Sequence, residues 1–443
     1  MGGNALVPLV MFGWIPLVLY LFTRYPPQKA LVTGFVIAWL FLPVAEFKIP
    51  GIPGYNKMTA ISYGILLATV IYDSPRLQTF KFHWVDIPMA VWLVCPFITS
   101  NVNGLGPYDG FSMMQSQIAT WGLPYYLGRI YLNNLGGLRQ LAIAIFMGGL
   151  AYVPLCWLES RIYTSLMGII YGVSTGRDAA QSFRYGGYRP QLFMEHGLML
   201  GVWMMTACLM GVALWKTGII KRLWNQPMGV WMAILILTFI ICRSTGAYVL
   251  FLVGVLALFL AWQFRTSIIL WVLVLGIFYY LYLGVSGTFP NKQIVATMSQ
   301  MFNADRVASV QFRFDNEEIL GAKARQQMIF GWGGFGRSRV FNELGEDISV
   351  TDSLWIIVFG INGAVGLISV FSSLLLPVLS FCIRFPARLW SHPLFAPPAA
   401  LAMGIAAYSL DCVLNAMVNP IFILASGGIA GIVAAKDKDL MKG

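Results

Sequence analysis

Long apolar runs separated by short polar connections recur from one end of the chain to the other. They occupy residues 5–22, 29–45, 58–72, 85–99, 117–132, 137–158, 191–214, 227–242, 246–263, 266–284, 353–383, 395–412 and 418–435. A membrane span needs about 20 mainly apolar residues, and over such lengths only a helix satisfies its own backbone in lipid. The pattern predicts an all-α, polytopic transmembrane protein of 13 spans, within a range of 12–14 because two runs are short and Pro-interrupted. Residues 1–443 read as a single membrane domain, with an outer loop at 159–190 and a larger one at 285–352. In the larger loop, 315–330 has helical composition and the glycines of GWGGFG (331–336) then break any helix. So long a connection without structure of its own is uncommon unless it is functional.

Composition agrees with the pattern. Hydrophobic residues make up 58%, charged residues 11%, and mean hydropathy is +0.72; a soluble chain carries about 25% charged residues. The formal charge of +11 comes from scattered Lys and Arg, with no basic block, and nucleic acid is not an expected partner. That excess sorts the connections instead. Arg24 and Lys29, Arg76 and Lys81, Arg129 and Arg139, Lys216 to Arg222, Arg265, and Arg384 with Arg388 fall in alternate short loops. The positive-inside rule makes these cytoplasmic. The neutral loop 100–116 and the two long loops then face outward, with the C-terminus inside and the N-terminus outside. The first run lacks a basic leader and reads as a span, not a cleaved signal. Six cysteines lie in apolar stretches without CxxC spacing and read as packing residues.

Candidate chemistry gathers on the outward side. Arg243 ends a span in CRSTGAYVLFLVG, against the charge bias and in a turn too short to reach far into water. Boundary charge of this kind is a binding-site candidate, and an anion is its natural ligand. The outer loops add Arg161, Arg177, Arg184 and Arg189, then Arg306, Arg313, Lys323, Arg325, Arg337 and Arg339. Arg suits bidentate phosphate recognition better than Lys, although most of these serve equally as solvated charges or partners of nearby acids. Pro190 suits a first helical position. Glu195 and His196 fall just inside the following span. Asp352 stands where the large loop re-enters the membrane; it is either a helix cap or, if burial lifts its pKa, a general base. No HExxH, DxD, clustered Cys/His or phosphate-loop motif exists, so neither a metal nor a cofactor is expected.

These outward residues carry a resemblance. RSTGA (243–247), then RFDNEEILGAKARQQMIFGWGGFG (313–336), TDSLWIIVFGINGAVGL (351–367) and NPIFILASGGIAG (419–431) follow one another as comparable segments do in the O-antigen ligase and polymerase superfamily of bacterial envelope glycosyltransferases. The likeness covers roughly residues 185–435. It implies an enzyme of the inner membrane with a periplasm-facing site. Such an enzyme transfers or polymerises glycan from an undecaprenyl-diphosphate-linked donor to a glycan or lipid-linked acceptor, without a metal and with inversion. It further implies that Arg243 and Arg313 bind the diphosphate, supported by Arg189, Arg184, Arg306 and Arg325. Where the family commonly carries His-Asn, this chain has Asp352-Ser353, so Asp352 becomes the expected base. His196 and Glu195 complete the expected substrate-binding set. Two other classes stay open: a rod-shape or division-type peptidoglycan polymerase, and a lipid-linked sugar flippase or transporter.

Overall fold

The computed structural model describes residues 3–48, 54–174, 182–301 and 304–440. Helices occupy every apolar run read from the sequence. Among the described residues, eight are long and apolar enough to cross a membrane, from Leu6–Arg24 to Ala396–Leu414. Shorter apolar helices at Pro27–Phe41, Lys57–Tyr72, Met228–Ile241 and Pro420–Ala434 accompany them. The most buried members are Gly197–Lys216 and Ala396–Leu414, while Ile268–Ser286 and Thr245–Phe264 lie at the periphery with most of their apolar residues outward. A helix apolar on all sides is what a lipid environment selects. All six cysteines are buried and unpaired. Among the described residues, strands occur only as three hairpins of two-residue strands.

Three local expectations need correction. The stretch 100–116 is mostly helix. Ile87–Val102 runs up to it, and a helix starts again at Pro107, continuing through a π-turn at Ile118–Gly122 to Tyr131. Pro107 pre-sets the helical φ and Asp109 sits in the first turn, a start signal hidden by the polarity of PYDGFSMMQSQ. Pro190 does not begin a helix, because the Glu159 carboxylate takes the amides of Gln191 and Leu192 and holds the segment non-helical. The helix begins at Gly197, with His196 as its N-cap. The large loop holds helices Asn291–Met301 and Ala304–Arg325, the second starting earlier and ending sooner than composition suggested.

The feature that organises the large loop lies inside the helix Leu354–Arg384. Gly363 has φ 65° and ψ −166°, a conformation that only glycine adopts readily. The break frees two carbonyls and two amides in the bundle interior. All four are taken by the segment just after the loop helix. Trp332 and Gly333 donate to the carbonyls of Gly360 and Ile361, each at 2.9 Å. Ala364 and Val365 donate to Met328 and Ile329 at 2.8 and 3.2 Å. From the neighbouring helix, Thr99 Oγ1 donates to the Phe330 carbonyl at 2.8 Å and Asn103 Nδ2 to that of Gly331 at 2.8 Å. The glycines of GWGGFG therefore do more than end a helix. Gly331 has φ 68°, and a β-carbon there would come within 2.5 Å of the Gly363 amide.

The other end of the bundle is fastened by a buried ion pair. Arg129 Nε and Nη2 donate to the two oxygens of Asp86 at 2.7 and 2.9 Å, and both side chains are almost fully buried. Tyr125 donates to the same carboxylate at 2.8 Å.

Gly363→Ala is expected to destabilise the protein by roughly 1–3 kcal/mol from backbone strain alone, and by more because its β-carbon would meet the Ile329 carbonyl oxygen at 2.3 Å. Gly276→Ala, in an open helical position, should be neutral or stabilising. Thermal unfolding of both purified variants checks this; equal midpoints would mean that the break is not needed.

Candidate functional site

The loop helix Ala304–Arg325 turns one stripe inward: Asn316, Leu320 and Ala324 are buried, and Glu317 is largely so. Asn316 fixes the returning strand by accepting from the Val350 amide at 2.8 Å. Beside it, Glu317 is the meeting point of three helices. Its Oε1 accepts from Ser353 Oγ at 2.9 Å and from Trp355 Nε1 at 3.1 Å. Its Oε2 accepts from the Tyr280 hydroxyl at 3.0 Å. Burial pushes the Glu317 carboxyl above its ordinary value, and the three donors together with Arg313, one turn earlier, offset only part of that.

Glu317 forms part of the wall of a cavity of about 280 Å³. Tyr280, Phe289 and Trp355 supply aromatic walls, with Tyr280 edge-on to Phe289 at 4.9 Å and to Trp355 at 6.1 Å. Lys292 and Arg325 bring positive charge, and Arg325 Nη1 donates to the Gly284 carbonyl at 3.3 Å. Aromatic faces, a carboxylate acceptor and cations in one open cavity suit a polar ligand with an apolar face and an anionic group.

Arg313 also interacts electrostatically with Asp411, at the end of helix Ala396–Leu414, as does Arg189. Asp411 Oδ1 accepts from Asn415 at 3.0 Å, while its Oδ2 is buried without a hydrogen-bond partner among the described residues. Arg189 is fully buried.

The remaining expected residues are placed elsewhere. Arg243 stands at φ 50°, and its Nη1 donates to the carbonyls of Arg184 and Tyr185, each at 2.5 Å. It clamps the hairpin Phe183–Arg184 and Gly187–Tyr188; a β-carbon at Gly187 would approach its guanidinium to 2.1 Å. Arg184 itself is exposed. His196 Nδ1 accepts from the Leu198 amide at 3.1 Å, a capping bond one position outside the helix. Glu195 is exposed and interacts electrostatically with Lys57. The side chain of Arg306 and all of Arg177 lie outside the described residues. Asp352 is exposed, so the burial on which its reading as a base depended is not present. The cap position belongs to Ser353, whose hydroxyl turns to Glu317 instead of capping the helix.

The structure thus brings Arg313, Arg325 and a carboxylate together, and that carboxylate is Glu317. In sequence, Glu317 reads as a surface partner for nearby arginines; the signal was its position between Asn316 and Leu320 on one helical stripe. Asp411 was legible as an acid within an apolar run, a functional candidate by default, and Glu159 was masked by its place beside a loop.

Glu317 also sets a pH dependence. Because its folded-state value is raised, the folded protein favours the protonated carboxyl. This contribution to stability is complete below the ordinary glutamate value of about 4.3 and is lost as pH rises through the raised value. Thermal unfolding of wild type and Glu317→Gln from about pH 4 to 8 should show the wild type falling relative to the variant at the upper end. Parallel curves would mean that Glu317 ionises at an ordinary value.

No protein-family model matches the chain, and neither does any curated protein or solved structure.

Proposed function

We propose that this chain is a glycosyltransferase of the bacterial inner membrane, acting on an undecaprenyl-diphosphate-linked glycan at its periplasmic end to build a surface polysaccharide. One observation carries the reading: Glu317, a shielded carboxylate with raised proton affinity, faces an aromatic-walled cavity that also presents Arg325 and Lys292. The C–H face of a sugar ring packs on aromatic rings, its hydroxyls donate to carboxylates, and cations neutralise a diphosphate. The charge bias of the connections supports the orientation, since the cavity lies at the end opposite the basic loops. With 13 spans the N-terminus is outside and the C-terminus inside.

In this mechanism Glu317 accepts the proton of the acceptor hydroxyl. The hydroxyl oxygen attacks the anomeric carbon from the face opposite the leaving group, the carbon–oxygen bond to the diphosphate breaks, and the configuration inverts. Arg325 and Lys292 offset the negative charge that collects on the departing diphosphate. Arg313 tunes Glu317 from one turn away. Arg243 and the fully buried Arg189 do not line this cavity, and Arg243 holds the hairpin at 183–188 instead.

A lipid-linked glycan transporter is the second reading, because helices broken at a buried glycine are a recurring feature of transporters. The two differ in product. Purified protein in lipid vesicles, given lipid-linked glycan and acceptor but no ATP or ion gradient, should yield a longer or transferred glycan. Movement of unaltered substrate across the vesicle, with no new glycosidic bond, would overturn the transferase reading.

Within the transferase assay, Glu317→Gln should lower turnover by about 10²- to 10⁴-fold, the usual contribution of a general base. Asp352→Asn, at an exposed position, should change it by less than about threefold. The reverse ranking would return the base to Asp352.

A further inference from the structure

A second cavity, of about 650 Å³, opens at the basic end of the bundle, far in the fold from Glu317. Its walls come from the connection after Lys57–Tyr72, from the end of the helix at Tyr131, and from the segment that follows Pro420–Ala434. Two arginines in it are held in place. Arg76 pairs with Asp73 at 3.4 Å and lies over the Tyr131 ring at 5.2 Å. Arg129 is nine-tenths buried, stacked over Phe80 at 5.3 Å, and committed to Asp86 and the Lys81 carbonyl through Nε and Nη2. Its Nη1 has no hydrogen-bond partner among the described residues and is left for a ligand.

Three further cations add to these. Lys81, Lys436 and Lys438 line the cavity and make no ion pair among the described residues. Two of them ride on a fixed segment. Asp437 pairs with Arg384 at 2.7 Å, Arg384 also donates to the carbonyls of Ile432 and Val433, and buried Leu440 accepts from the Leu135 amide at 3.1 Å. Among the described residues of the wall, Asp439 is the carboxylate that opposes them. Like charges gathered in a pre-shaped hollow repel one another unless an anion joins them, and the planar guanidinium of Arg129 suits a phosphate.

We propose that this cavity binds a phosphate group, presented by an anionic lipid headgroup or by a soluble phosphate. Basic hollows between helices at a membrane surface are suited to lipid phosphates, and an occupant would tie the segment 435–440 to the connection 73–86. The assignment is independent of the transferase reading, since it uses none of the same residues.

The test uses the full chain, purified and delipidated, in native mass spectrometry with phosphatidylglycerol or phosphatidylcholine and in thermal unfolding with inorganic phosphate. Two variants accompany it: Lys81→Ala/Lys436→Ala/Lys438→Ala in the cavity, and Lys216→Ala/Lys221→Ala/Arg222→Ala among exposed cations outside it. All six positions are exposed, so both proteins should fold. Phosphatidylglycerol retained by wild type in preference to phosphatidylcholine, with affinity reduced about a hundredfold in the cavity variant and unchanged in the control, identifies a lipid headgroup site. Stabilisation by inorganic phosphate that the cavity variant alone loses, without retained lipid, identifies a soluble phosphate. Equal behaviour of the two variants, or binding that survives the cavity substitutions, overturns the proposal.

Discussion

A helix that breaks inside a lipid-facing bundle must hand its freed peptide groups to something, and at Gly363 that need shapes the half of the protein that carries the large loop. An unsatisfied buried amide or carbonyl costs about 1–3 kcal/mol, so four together would exclude the break. The chain removes that cost by returning residues 328–333 to the gap. Once that segment is fixed, the loop helix immediately before it has little freedom. It must end beside the start of Leu354–Arg384, which is where Glu317 meets Ser353 and Trp355. The backbone contact thus sets the position of the side chain to which we assign the chemistry.

The two ends of the bundle solve the problem of buried charge in opposite ways. At the basic end, Asp86 and Arg129 satisfy one another with paired hydrogen bonds, and Tyr125 adds a third. That arrangement is self-contained; removing either partner would strand a charge at a cost of several kcal/mol. At the end that carries the large loop, Arg313 is shared between Glu317 and Asp411, and one Asp411 oxygen has no hydrogen-bond partner among the described residues. Shared and incomplete compensation leaves the balance sensitive to protonation, which suits the proton-accepting role we propose for Glu317.

The helices were legible because lipid imposes a length and a composition that few other environments do. The apolar runs near 353–383 and 395–412 match helices Leu354–Arg384 and Ala396–Leu414 almost residue for residue. The helix that starts at Pro107 was hidden because its first turns are polar. GWGGFG announced a turn, but its partner Gly363 looks like any glycine inside an apolar run, and only the fold joins them. Asp352 drew attention because it stands alone at a boundary. Glu317, flanked by Asn316 and Glu318 in a charged helix, acquires its character from Tyr280 and Trp355, both far from it in the sequence.

That contrast bears on how a carboxylate becomes a base. Position in the sequence at the edge of an apolar run is not sufficient, because an exposed carboxylate keeps its hydration shell. What raises proton affinity is loss of water without full replacement by positive charge. Glu317 meets that condition: three neutral donors hold its orientation, and Arg313, which offsets part of its burial, also acts on Asp411. Four acceptor positions on a carboxylate, three of them used by Ser353, Trp355 and Tyr280, leave one for the acceptor hydroxyl that we propose. The same three contacts that hold the helices together therefore fix the carboxylate in the cavity wall.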